Sequence, residues 1–301
     1  MDQKTSATEW FMEGCRYDLL DPQSDKAIEA YKKSIIFDPT LTAAYVNLGF
    51  IYLQREDYDW ALICLRRVVE LEPKNPEAYN NLGYVYEKME RLGSARHMYE
   101  QALALNPKNV EAILNIGHIS ELEGNYFNAV QHYQKAIEVD SHAVSPRFFL
   151  ALLYDHHDMF DEAIREYQDI LEINPSHVNT LFNLGNLYVH LGDCKKAMTF
   201  FKQVLTFDPN HAEAWNNLGS IYEVMEKDEE AITAYQKSLS LNPFQEEANV
   251  NLAQSQYRQY CTNPDESKKE EIVRRLYFVL SINPQKKRAQ KLLDELMSGK
   301  T

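Results

Sequence analysis

Proline recurs in this chain at Pro39, Pro73, Pro107, Pro175, Pro209 and Pro243, in steps of 34 residues, or of twice 34 where Ser141 takes the expected place. A fixed spacing held over most of a chain is the signature of stacked repeats, each too small to bury its own apolar face. Asp38, Glu72, Asn106, Asn174, Asp208 and Asn242 stand immediately before those prolines. A residue preceding proline is pushed out of the helical region, so each of these sites ends a helix. One unit therefore reads as helix, turn, helix, turn.

Small residues occupy two columns of the unit: Gly49, Gly83, Gly117, Ala151, Gly185, Gly219 and Ala253 in the first helix, and Ala27, Ala61, Ala95, Ala129, Ala163, Ala197 and Ala231 in the second. Glycine inside a helix costs about 1 kcal/mol relative to alanine, so its return at one column implies a close helix crossing that repeats with the unit. Large packers such as Tyr79, Leu82, Tyr86 and Tyr99, or Trp215, Leu218, Tyr222 and Tyr235, surround that crossing.

The set Tyr79, Leu82, Gly83, Tyr86, Ala95, Tyr99, Ala102 and Pro107, at these spacings, closely resembles the tetratricopeptide repeat. The resemblance implies an all-α fold, a right-handed α-solenoid of about eight helix-turn-helix repeats forming a single superhelical domain over 1–301. The units fall near 7–41, 42–75, 76–109, 110–143, 144–177, 178–211, 212–245 and 246–286. The first unit carries one extra residue between Gly14 and Ala27, and the eighth seven extra between Ala253 and Ile272; both are expected in the turn between helices. The fifth has Ala151 in the glycine column, Arg147 in an aromatic column and Pro146 in its first helical turn. Ala289, Leu292, Leu293 and Leu296, at amphipathic spacing, predict a capping helix over 287–298, and with it a chain complete at that end.

On a helical wheel of the third unit, Glu77, Asn81, Tyr84 and Lys88 lie opposite the packing stripe. In the fold that the sequence resembles, this side lines the concave groove. Read along the array, its central column is Asn47, Asn81, Asn115, Phe149, Asn183, Asn217 and Asn251. Asparagine is a mediocre interior helix residue, but its amide both donates and accepts, so a column of them suits the backbone of an extended peptide. The column resembles the asparagine ladder of the O-linked N-acetylglucosamine transferase family, which holds peptide backbone; no glycosyltransferase domain accompanies it here. The alternative is that these amides bond between neighbouring units and stabilise the stack.

Tyr84, His118, Leu152, Asn186 and His190 fall in neighbouring groove columns. Glu77, Glu111, Glu213 and Glu247 at the helix starts, and Glu87, Glu121, Asp155 and Glu223 near their ends, favour a basic or polar ligand; the first set equally complements the helix dipole. Phe148, Phe149, Leu152 and Phe182 form an apolar stretch, so an apolar residue is admitted at the ligand's centre. For Phe148 and Phe182 the inter-repeat core is the stronger reading.

A formal charge of −14 repels nucleic acid and anionic lipid, so neither is an expected partner. No segment is apolar enough for membrane insertion, the N-terminus lacks a signal-peptide pattern, and four scattered cysteines spell no zinc or redox motif; a cytoplasmic protein is expected. The run Asp155, His156, His157, Asp158 fixes no third metal ligand by spacing, so no metal is expected. No phosphate-binding, dinucleotide-binding or hydrolase motif appears, so neither cofactor nor enzyme activity is expected. Lys88 and Arg258, isolated among acids, make no basic clamp for an acidic C-terminus. From Gln254 onward the chain is net basic against an acidic remainder, read as a solvated cap or a docking surface.

Function is thus expected to be that of an adaptor or scaffold binding an extended polypeptide, itself a monomer with weak self-association at low salt. The alternatives are a self-assembling scaffold and a non-catalytic regulatory subunit of a separate enzyme or secretion complex.

Overall fold

The computed structural model describes residues 3–298, which contain seventeen α-helices and no strand. The chain divides into two compact units, residues 1–153 and 154–301. The first unit holds α1 (Gln3–Leu20), α2 (Asp25–Phe37), α3 (Thr42–Gln54), α4 (Tyr58–Leu71), α5 (Pro76–Lys88), α6 (Leu92–Leu105), α7 (Val110–Leu122) and α8 (Tyr126–Val139). The boundary falls inside α9 (Val144–His156). The second unit continues with α10 (Phe160–Ile173), α11 (Val178–His190), α12 (Cys194–Phe207), α13 (Ala212–Val224), α14 (Asp228–Leu241), α15 (Glu246–Thr262), α16 (Glu266–Ile282) and α17 (Lys287–Ser298). Within each unit successive helices pair as hairpins, α5 with α6 and α13 with α14 for example, and each hairpin packs on the next. The architecture is an all-α repeat solenoid.

Helices end where the pre-proline residues predict. Asp38, Asn106, Asp208 and Asn242 leave the helical region as C-caps, with φ between −136° and −130°. Their side chains then accept from the backbone N–H two residues on: Asp38 from Thr40 at 2.9 Å and Asn106 from Lys108 at 3.1 Å. Asp140 does the same for His142 at 3.0 Å. That bond explains why Ser141 can replace proline: the Asx turn keeps the geometry without a fixed φ. Tyr79 Oη and Trp215 Nε1 donate to the carbonyls of Pro73 and Pro209, fastening each turn to the following helix.

The small-residue column has a specific occupant opposite it. A Cβ built on Gly83, Gly117 or Gly219 would lie 2.6 Å from the ring of Tyr99, Tyr133 or Tyr235, and one on Gly185 equally close to Phe201. The aromatic ring of the second helix thus lies flat where a side chain of the first would be, and is fully buried there.

The seven extra residues of the eighth repeat do not enlarge its turn. α15 and α16 have 17 residues each, against 13 and 14 in α13 and α14. Each helix gains about one turn of 3.6 residues, which keeps its packing face in phase. In α17, Ala289, Leu292, Leu293 and Leu296 are buried against Val250, Ile272, Leu276 and Val279.

Candidate functional site

The buried tyrosines direct their hydroxyls at carboxylates of the first helices. The hydroxyls of Tyr99, Tyr133 and Tyr235 donate to Glu87 Oε2, Glu121 Oε2 and Glu223 Oε2, each at 2.8 Å, and Tyr31 reaches Asp18 Oδ2 at 3.5 Å. Burial and the adjoining carboxylate push Tyr99 well above the usual phenol range, so it remains a donor. The pairing is conditional. At the corresponding positions Leu53 goes with Leu65 and Val189 with Phe201, so a first helix without the carboxylate belongs to a unit without the hydroxyl.

Two of these carboxylates have further partners, and Asp155 lies in the same row. Burial opposes ionisation of Glu87, but hydrogen bonds from His118, whose Nδ1 lies 3.0 Å from Oε1, and from Tyr99 outweigh it and hold the carboxyl below its usual range. The same contact raises His118. Glu223 receives Ser255 Oγ at 3.2 Å and the guanidinium of Arg258, as well as Tyr235. Asp155 is pushed up by burial, against the nearby imidazole of His190. Glu121, by contrast, is exposed, and among the described residues only its Oε2 accepts a hydrogen bond.

The asparagine column divides in two. Asn47 Nδ2 donates to Tyr31 Oη at 3.1 Å, and Asn115 Nδ2 to Asn80 Oδ1 at 3.1 Å. In the second unit a directed chain runs from Arg288 to Asn251 Oδ1 (2.8 Å), from Asn251 Nδ2 to Asn216 Oδ1 (3.1 Å), from Asn216 Nδ2 to Asn217 Oδ1 (3.2 Å), and from Asn217 Nδ2 to Asn186 Oδ1 (2.8 Å). Asn183 lies beside the Tyr167 hydroxyl. These amides bond to neighbouring repeats. Asn81 makes no side-chain hydrogen bond among the described residues and is half-buried.

Models of the tetratricopeptide repeat match residues 76–109 and 212–245, 157–221 and 110–142, and a TPR repeat model matches 51–90, together more than half of the chain. The chain is a tetratricopeptide-repeat protein. Solved structures of similar fold include the C-terminal part of a TPR repeat-containing protein from Cytophaga hutchinsonii, at 17% identity over 81% of this chain and 98% of that one, TM-score 0.64. Another is a tetratricopeptide repeat protein from Parabacteroides merdae, at 24% identity over 83% and 99%, TM-score 0.59. A chain of the Cut9–Hcn1 hetero-tetramer of the APC/C is 18% identical over 90% of this chain, TM-score 0.60; the match spans 52% of that chain, about half its length. No curated protein matches the sequence. Tetratricopeptide repeats generally mediate protein–protein interaction, and their fold is typically non-catalytic.

The remaining candidates of this tetratricopeptide array have definite places. Phe149 is half-buried, its ring 6.1 Å from that of Tyr133 and 6.3 Å from His118, so it packs on the preceding repeat as the asparagines do. Phe182 packs on Phe201 and His211, and Leu152 is half-buried. Tyr84 carries the Lys88 ammonium 5.0 Å from its ring centre, and the exposed His190 packs on Phe160. His156 and His157 meet edge to face, and among the described residues no three His, Cys, Asp or Glu side chains converge to hold a metal. No helix among them is long and apolar enough to cross a membrane.

Sequence reasoning missed a concavity of about 240 Å³ between α11 and α13, lined by Asn186, Val189, Cys194, Asn217, Ser220, Ile221 and Val224. Its signal was present in the sequence: Val189 and Phe201 depart together from the carboxylate and tyrosine of the neighbouring tetratricopeptide repeats.

Proposed function

We propose that this protein is a non-catalytic adaptor or scaffold that binds an extended polypeptide along the open face of its first helices. One observation carries the reading: the exposed carboxylate of Glu121 on that face is held from behind by the buried Tyr133 hydroxyl. Side chains that merely solvate a surface need no such support; a fixed acceptor is useful to a ligand that must meet it in one geometry. Oε1 of Glu121 and the unpaired amide of Asn81 supply sites for a basic or polar segment and for peptide backbone. Net charge disfavours nucleic acid as the partner, and four free thiols suit a reducing, cytoplasmic setting.

Dodecapeptides selected on the protein from a random phage-displayed library provide the probe. Asn81→Ala and Glu121→Ala should each weaken the selected peptides roughly 2- to 10-fold, about 0.5–1.5 kcal/mol, with the melting temperature unchanged. Asn251→Ala, which breaks an inter-repeat bond to Asn216 outside the exposed face, should lower the melting temperature instead. Full affinity in both Asn81→Ala and Glu121→Ala would contradict the reading.

A further inference from the structure

Within the second compact unit the carboxylate row is interrupted between Asp155 and Glu223. Val189 stands in the gap, and behind it Phe201 stands where a hydroxyl would have held an acid. Charge and its support are removed together, which marks the gap as a consistent local arrangement. It opens onto the 240 Å³ concavity, where Val189 is 46% and Val224 70% exposed.

We propose that this concavity is a specificity pocket that takes one aliphatic side chain of the size of leucine, isoleucine or methionine from a bound polypeptide; the inference rests on the polypeptide-binding reading above. Small-molecule sites usually enclose about 300–1,000 Å³, so this smaller volume suits a single side chain. Val189, Ile221 and Val224 give it apolar walls. No carboxylate is among its lining residues, and both oxygens of Glu223 on the same helix are engaged by Tyr235, Ser255 and Arg258. A charged ligand side chain would lose hydration and meet no group of opposite charge in the lining. Asn186 accepts from Asn217 at 2.8 Å, which orients its amide and leaves the Nδ2 hydrogens for a ligand backbone carbonyl beside the pocket.

The same dodecapeptide selection tests this. The peptides obtained should share one aliphatic residue, and changing it to aspartate should cost at least tenfold in affinity for the wild type. Two pocket variants are compared. V189E/F201Y restores the pair found in the neighbouring repeats, and Val224→Asp alters an exposed position that folding tolerates. On either, the same peptide change should cost less than twofold, a coupling that a remote effect would not give. Bound peptide should also slow maleimide alkylation of Cys194 and leave the exposed Cys261 unaffected. Peptides weakened by Asn81→Ala or Glu121→Ala, yet indifferent to both pocket variants and without effect on Cys194, would overturn the pocket and leave the binding face standing. Peptides indifferent to both sets, or no enriched peptide, would overturn both.

Discussion

Glu87 keeps only 9% of its surface exposed and accepts from Tyr99 at 2.8 Å. Removing that hydroxyl leaves a buried charge with one partner fewer, so Tyr99→Phe should destabilise the protein by about 1–3 kcal/mol. The second change, Glu87→Val, copies the Val189 and Phe201 combination and should recover most of the loss, as denaturant unfolding of the single and double variants will show. The contact with His118 adds a pH dependence. Because the folded-state pKa of His118 is raised, its contribution is fully present below the unfolded value of about 6.5 and is lost as pH rises through the folded value. The melting temperature of the wild type should therefore fall over that window relative to His118→Asn. The tyrosine and the glycine it lies on were legible in the sequence. The hydroxyl bond to a carboxylate twelve residues earlier was latent there, visible only once both side chains have directions. For the asparagines, a helical wheel gives the side on which they lie but not the distance to the next repeat, and that distance lets most of them bond to it.

At the scale of elements, the turn inside the second to seventh repeats passes through a left-handed residue. Gly124 and Gly192 occupy it in two repeats at φ 73° and 76°, while Glu56, Glu90, Asp158 and Glu226 adopt φ of 57–62° in others. A side chain there costs roughly 1–2 kcal/mol, partly offset in glycine by greater unfolded-state entropy. Glu90→Gly should accordingly stabilise by about 0.5–1 kcal/mol, and a lower melting temperature would show that this turn carries no strain. Helix ends were readable because proline and Asx residues act locally. The eighth repeat differs for the opposite reason: spacing alone places its insertion in the turn, but Tyr257 and Tyr260 pack against the terminal core and α15 is longer instead.

For the whole molecule, period and composition were enough to read the repeat class, and four of the basic residues near the C-terminus have local partners. Lys286 pairs with Glu247, Arg275 with Asn249, Arg288 with Asn251 and Arg258 with Glu223, so they dock the last helices onto the array. The pocket was not readable in this way, because it depends on space between two helices that no spacing reports. The central claim is that the first helices, and not the second, form the binding surface. Amide hydrogen exchange with and without a selected dodecapeptide tests it most directly. The account predicts slowed exchange in first helices such as α5, α7, α11 or α13, with α4, α6, α12 and α14 unchanged. Protection confined to the second helices would contradict it.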